Sequence, residues 1–279
     1  MVTKKRMDKP MDTLAKRQAV NAGAVIHEFH ELPGKYTGFC ANEYPDSENV
    51  VPRVDSAYLV EINGKIHVIN REDESGQIDN IVLEKINKYR ILLEYTFKLP
   101  VILVITTHLQ VDKSLITICI SPTMYVDVIV ISYPALGGSE RLSSIREKIN
   151  NEKVLSGVEA MNLVMIPRMF TTGNAEILEE ACVLLKNAKV EDTEFKHELI
   201  LEMQCVIRKY AETLDDIHRL EEVIDLSATT MAVQQNKQRL IEQGAFEMAL
   251  KIKREFGLEK AIELSGFSRH ELESEKLNR

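Results

Sequence analysis

Three carboxylates stand around one short turn in the sequence. Asp55 precedes the dipeptide Asn63-Gly64, and Glu72 and Glu74 follow it. Asn-Gly between two alternating apolar runs predicts a β-hairpin with a two-residue type I′ turn, because both residues tolerate the positive φ that this turn requires. Pairing outward from that loop places Asp55 directly opposite Glu72.

Two facing carboxylates repel each other, since facing side chains have Cβ atoms about 5 Å apart. When such a pair is partly desolvated, one member takes up a proton unless a cation lies between them. Mg²⁺ is held by one or two carboxylates together with waters and phosphate oxygens. An ion so held polarises a phosphodiester and lowers the pKa of an attacking water. The pair Asp55 and Glu72 therefore predicts a Mg²⁺ or Mn²⁺ site suited to phosphodiester hydrolysis.

A plainer interpretation of the same acids stays open. The strand end can be solvated, with Arg53 and Arg71 nearby to neutralise the carboxylates, and surface ion pairs of this kind contribute about 0–1 kcal/mol. A bulge in the hairpin would also shift the register and cancel the pairing.

The elements that must position these acids follow from hydrophobic periodicity. Residues 79–97 carry apolar side chains at helical spacing, and the nearly all-apolar run at 99–108 predicts a buried strand parallel to the second hairpin strand. Both faces of the hairpin are apolar at mid-strand, so we expect it to be covered on both sides. The remaining predictions are a helix over 12–32, a loop over 33–53, and strands over 114–120 and 124–134.

Composition and charge restrict the class of protein. The chain has 279 residues, is 44% hydrophobic and 28% charged, and has a net charge of −8. These values predict an ordinary soluble globular protein without a broad basic surface for nucleic acid. The four cysteines have no metal-ligand spacing, no apolar run is long enough to span a membrane, and no secretion signal is evident. We expect a cytoplasmic protein with no membrane partner.

From Arg141 onward, β-branched runs give way to Leu, Glu, Lys and Ala at helical spacing. The punctuation Pro134-Ala135-Leu136-Gly137-Gly138 precedes this change. We therefore predict a boundary near residue 140, with an α/β core over 1–140 and a helical region over 141–279. The helical region is a candidate surface for homo-oligomer formation.

The order of these motifs resembles the PD-(D/E)XK nuclease core. More narrowly, "HVINREDES" followed by "KINKYRILLEYTFKLPVILVIT" resembles the recombination-promoting nuclease and putative transposase family. "MDTLAKR" is similar to that family's opening Asp-x-x-x-Lys helix, and "EFGLEKAIELSGFSRHEL" is similar to its C-terminal tail. The resemblance implies a nuclease-like mixed sheet flanked by helices and a metal-dependent DNA endonuclease activity.

The resemblance also assigns residues. It makes Asp55 the metal-binding aspartate and Glu72 the motif glutamate, and these two, with Glu74 as accessory, are the candidate catalytic residues. Glu74 stands where the family usually has Gln or Lys, and a carboxylate cannot stabilise charge developing on a phosphate as Lys does. Either Glu74 is a further metal ligand or the site has decayed.

Four further residues are candidate nucleic-acid contacts. Asp12 and Lys16 match the opening helix motif, although their i, i+4 spacing also fits an ordinary helical ion pair. Lys85 and Tyr89 share one side of the predicted helix, where they can reach a phosphate backbone, although a packing role is the plainer interpretation of Tyr89. The alternative to an active, DNA-binding enzyme is a catalytically degenerate nuclease fold that binds partners through its helical region.

Overall fold

The computed structural model describes residues 10–40, 54–111, 115–121, 124–172, 174–265 and 268–274. The first part of the chain alternates helices and strands: α1 (Pro10–Asn21), α2 (Gly23–Phe29), β1 (Lys35–Phe39), β2 (Ser56–Ile62), β3 (Lys65–Glu74), α3 (Asn80–Phe97), β4 (Val101–Thr107), β5 (Leu115–Ser121) and β6 (Met124–Ser132).

Helices dominate the described residues after β6. These later elements are α4 (Gly138–Asn150), β7 (Val154–Leu155), α5 (Gly157–Met165), α6 (Asn174–Asn187), β8 (Lys189–Val190), α7 (Thr193–Tyr210), α8 (Leu214–Val223), α9 (Leu226–Phe256), α10 (Leu258–Ser265) and α11 (Arg269–Ser274). Short 3₁₀ turns lie at Tyr133–Leu136 and Ile166–Met169. None of the described helices is both long and apolar enough to cross a membrane.

Six strands form one mixed sheet in the order β1-β2-β3-β4-β6-β5. Strands β3, β4 and β6 run parallel, while β1, β2 and β5 pair antiparallel with their neighbours. The predicted α/β class with a mixed sheet is therefore confirmed, as is the parallel pairing of the apolar strand β4 with the second hairpin strand. The carboxyl ends of the three parallel strands meet at one edge of the sheet.

The hairpin forms with the predicted turn and register. Asn63 and Gly64 both have positive φ, 51° and 76°, as a type I′ turn requires. The ladder runs without a bulge from Ile62 opposite Lys65 to Ser56 opposite Arg71. The ladder ends at this pair, so Asp55 is the first residue beyond the paired part of β2.

Helix α3 covers the face of the sheet that carries Glu72. Its N-cap is Asp79, whose side chain accepts hydrogen bonds from two backbone amides, and it ends at Lys98 in the left-handed conformation, just before Pro100. Buried Ile86 and Leu93 pack toward the sheet. Helix α1 packs on the opposite face against β2 and β3, so the hairpin is covered on both sides as predicted.

Two predictions about residues 12–53 were wrong. The expected single helix over 12–32 is interrupted at Ala22, where φ is −131° and ψ is 18°, so α1 and α2 are separate helices. The expected loop over 33–53 contains β1, which pairs with β2 along Lys35–Phe39. This strand is short and contains Gly38, and its pairing depends on β2 rather than on local sequence. The rest of that predicted loop, 41–53, lies outside the described residues.

Helices α1 and α2 belong to the same hydrophobic core as the helices after residue 140. Buried Leu14, Ile26 and Phe29 lie in one cluster with side chains of α4, α5, α6 and α7. The strands do give way to helices near residue 140, but the chain divides by packing into compact units of residues 1–226 and 227–279. In the second unit, Phe246 and Ala249 of α9 pack with buried residues of α10 and α11.

Candidate functional site

The hairpin register brings Asp55 and Glu72 together at the open end of β2 and β3. The backbone amide of Asp55 donates a 3.1 Å hydrogen bond to Oε1 of Glu72. Glu74 lies two residues further along β3, on the same side of the sheet, because side chains alternate along a strand. Asp55, Glu72 and Glu74 therefore lie at one end of the hairpin, whose register is set by the turn.

Helix α3 contributes a cation to this cluster. Nζ of Lys85 lies 3.5 Å from Oε2 of Glu72 and also forms an ion pair with Oε1 of Glu74. Tyr89 follows one helical turn later, and its ring centroid is 6.0 Å from the same Nζ. In the structure Lys85 lies between the two glutamates. Contact of Lys85 and Tyr89 with a phosphate backbone stays a prediction.

Glu72 is the buried member of the cluster, with 2% of its side chain exposed. Burial, together with the negative charge of Asp55, raises the pKa of Glu72 to about 8, although Lys85 opposes this rise. Burial is the larger cause of this rise, and the charge of Asp55 adds to it. The shift favours the protonated form of Glu72.

Charges within the cluster also act on Lys85 and Tyr89. Burial alone would lower the pKa of Lys85, but its hydrogen bond to Glu74 and the charge of Glu72 outweigh burial and raise that pKa. Burial and the nearby charge of Glu72 raise the pKa of Tyr89. Lys85 is therefore charged, and Tyr89 keeps its phenolic proton at neutral pH.

Asp73 supports the site from the opposite face of the sheet. Its backbone amide donates a 2.8 Å hydrogen bond to Oδ2 of Asp55. Its side chain accepts hydrogen bonds from Thr106, at 2.9 Å, and from the buried guanidinium of Arg168. Arg168 in turn lies over the ring of Tyr133, with Cζ 4.0 Å from the ring centroid.

The roles of Asp73 and Arg168 were not predicted from the sequence. Asp73 is visible in the motif as the acid between Glu72 and Glu74, but alternation along the strand assigns it to the other face, where no partner could be predicted. Arg168 lies 95 residues further along the chain in a short 3₁₀ turn. The sequence contains no motif that pairs them.

The donor chemistry of the cluster fits a hard divalent cation with two protein ligands. Mg²⁺ needs one or two carboxylates and takes its other ligands from water and phosphate. Asp55 and Glu72 provide two carboxylates, provided that Glu72 releases its proton. No group of three or more His, Cys, Asp or Glu side chains arranged to hold a metal occurs within the described part of the chain.

Three other residues were predicted to contact nucleic acid, and the structure describes the side chain of one of them. Asp12 and Lys16 lie on α1, and their side chains fall outside the described residues. Tyr89 is half-buried beside Lys85, and it packs with buried residues of the hairpin.

Comparison of the chain with family models, curated proteins and solved structures gave no match. What the site does must therefore be inferred from its own residues.

Proposed function

We propose that the protein is a Mg²⁺- or Mn²⁺-dependent endonuclease that hydrolyses phosphodiester bonds of DNA. The observation that carries this proposal is the convergence of Asp55, buried Glu72 and the ammonium of Lys85 at one open strand end. Metal-dependent hydrolysis of a phosphodiester needs carboxylates to hold the metal and positive charge near the phosphate. In open α/β sheets such ligand sites lie at the carboxyl ends of the parallel strands.

In this proposal Asp55 and Glu72 hold the metal, which when bound polarises the phosphodiester and activates the attacking water. Glu72 first loses its proton, and Asp55 keeps a fixed orientation because the amide of Asp73 binds its Oδ2. Glu74 orients Lys85 through their ion pair.

Lys85 provides the positive charge that Glu74 cannot provide from the strand. The resemblance to the recombination-promoting nuclease family expects Gln or Lys at the position of Glu74. Here the ammonium comes instead from α3 and lies beside the same carboxylates. A fixed ammonium at this place stabilises charge that develops on a phosphate oxygen.

DNA is the substrate class that the resemblance supports. Lys85 and Tyr89 then lie at the side of the site where a phosphate backbone would pass, and Asp12 and Lys16 are proposed to line the same groove. We place this activity in the cytoplasm.

A second candidate function rests on the same ion pairs. Lys85 already forms ion pairs with both glutamates, so the carboxylates have a cationic partner in the protein itself. In that case the chain is a nuclease-derived fold without catalysis, which binds partners or forms oligomers through its helical region.

Metal binding and plasmid nicking distinguish these functions. Titration calorimetry with Mn²⁺ at pH 8.5 measures binding, and supercoiled plasmid with Mg²⁺ or Mn²⁺ measures cleavage. The proposal predicts that Asp55→Ala and Glu72→Ala both abolish binding and nicking. Glu61→Ala, which removes an exposed carboxylate at the other end of β2, is the matched control and should behave as wild type. A folded wild-type chain that binds no metal and nicks no plasmid supports the second function.

A further inference from the structure

The outward face of α3 carries a stripe of exposed side chains at the spacing i, i+3, i+7, i+10 and i+14. We name this set the outer stripe: Ile81, Glu84, Lys88, Ile91 and Tyr95. Its three apolar members are unusually exposed, at 76% for Ile81, 51% for Ile91 and 73% for Tyr95. The spacing is that of the contact seam between two packed helices.

The inward face of α3 accounts for the packing of the helix on its own sheet. Buried Ile86 and Leu93 lie on that inner side, roughly opposite the outer stripe around the helix axis. The outer stripe therefore contributes nothing to the contact between α3 and the sheet. Ile81 and Ile91, exposed at the spacing of a helix seam, are a candidate contact surface. The ring of Tyr95 is already in contact with the ammonium of Lys98, 3.9 Å from its centroid.

We infer that the outer stripe binds the outer stripe of a second copy of this chain, with the two α3 helices antiparallel. In that arrangement Ile81 lies opposite Ile91 of the second copy, and Glu84 lies opposite Lys88 of the second copy. Two-fold symmetry repeats each contact, so the four contacts are two apolar pairs and two pairs of opposite charge.

The charges of Glu84 and Lys88 indicate both which molecule binds the outer stripe and whether the two α3 helices are parallel or antiparallel. A parallel pair would place Glu84 against Glu84 and Lys88 against Lys88, which is repulsive. The antiparallel pair centred between these two residues matches every charge with its opposite. The stripe is therefore complementary to itself, which favours a second copy over an unrelated partner.

The length of α3 limits the strength of this contact. A helix of 18 residues is ~27 Å long, and one pair of such helices buries less than the ~800 Å² per partner of a standard interface. We therefore expect a dimer that dissociates at concentrations on the order of micromolar. This interface is distinct from the self-association proposed for the helical region, and it does not depend on the proposed endonuclease activity.

Charge reversal tests the pairing by sedimentation equilibrium over a range of protein concentrations. Glu84→Lys and Lys88→Glu should each weaken self-association about tenfold or more, because each places like charges together. An equimolar mixture of these two variants should form heterodimers, since every facing pair is then opposite in charge. The double variant that carries both changes should dimerise like wild type.

Apolar variants test the other half of the contact. Ile91→Glu should give a monomer, whereas Val20→Glu, on an exposed site of α1, should dimerise like wild type. Thermal melts by circular dichroism confirm that each variant is folded. A monomeric wild-type protein at tens of micromolar, an oligomer that ignores the α3 variants, or a mixture that fails to associate would each overturn the inference.

Discussion

The backbone amide of Asp73 donates a 2.8 Å hydrogen bond to Oδ2 of Asp55. The amide of Asp55 in turn binds Oε1 of Glu72 at 3.1 Å. These two bonds replace the backbone ladder beyond its last pair, Ser56 with Arg71. Backbone groups thus hold one oxygen of each carboxylate in place, so the geometry of both acids depends on the hairpin rather than on side-chain packing alone.

Glu72→Gln is expected to reduce the pH dependence of folding stability. Burial and the charge of Asp55 raise the pKa of Glu72 from 4.5 to about 8 in the folded protein. The folded chain therefore keeps a proton that the unfolded chain loses, so this stabilisation is complete below pH 4.5 and disappears as the pH rises to about 8. Its magnitude is on the order of a few kcal/mol. Urea unfolding without metal at pH 5, 7 and 9 measures the slope.

Glu202 must be separated from Glu72 in this experiment. It is fully buried on α7, and burial, partly opposed by a hydrogen bond from Gln18, raises its pKa to about 8 as well. Glu202→Gln should remove the part of the pH dependence of unfolding free energy that Glu202 causes. The double variant should show the smallest pH dependence. Glu61→Gln controls for the loss of one exposed carboxylate. A wild-type slope in Glu72→Gln would show that Glu72 does not keep its proton.

Divalent metal binding is expected to displace the proton from Glu72. Below a pH of about 8, Mn²⁺ affinity should rise about tenfold per pH unit, because one proton leaves for each ion bound. Titration calorimetry in two buffers of different ionisation enthalpy counts the released protons. Glu72→Gln has no proton to release, so any remaining binding should lose this pH dependence. Binding that is independent of pH in the wild type would place the metal elsewhere.

Lys85→Met is expected to reduce metal-dependent plasmid nicking by about 10²–10³-fold if the proposed activity is correct. The substitution removes the ammonium that would face developing phosphate charge, and donors of this kind contribute that much to catalysis. Lys65→Met, at the exposed turn end of β3, removes an equal charge without touching the acids or the outer stripe. If both variants nick plasmid equally well, Lys85 has no role in the cleavage reaction.

The hairpin and its acid pair could be predicted because local sequence determines them. Asn63-Gly64 sets the turn, the turn sets the register, and the register places Asp55 opposite Glu72. Strand β4 was predictable from its continuous apolar run. The position of Lys85 between Glu72 and Glu74 was not, since it depends on where α3 crosses the sheet.

Contacts between distant segments could not be predicted. The interruption of α1 and α2 at Ala22 and the pairing of β1 with β2 are decided by tertiary packing that no local pattern reports. The ion pair of Asp73 with Arg168 joins a strand to a 3₁₀ turn through a fold that only the complete chain defines. Asp55 could therefore be identified from the sequence, but the contacts of Asp73 that hold it in place could not.

Arg168→Met is expected to destabilise the protein by about 3–5 kcal/mol, because it leaves the carboxylate of Asp73 buried without its cation. Only 5% of the Arg168 side chain and 8% of the Asp73 side chain are exposed. Arg146→Met breaks the exposed ion pair of Arg146 with Glu180 and should cost less than about 1 kcal/mol. Urea unfolding measures both free energies.

A double-mutant cycle then tests whether the loss in Arg168→Met comes from the unpaired charge. Asp73→Asn keeps an oxygen for the hydrogen bond from Thr106 but carries no charge. Adding it to Arg168→Met should therefore recover part of the lost stability, and a coupling free energy of more than about 1 kcal/mol is expected for side chains in direct contact. If the double variant is as unstable as the sum of the single ones, the two residues act independently, and Arg168 stabilises the fold through its packing on Tyr133 instead.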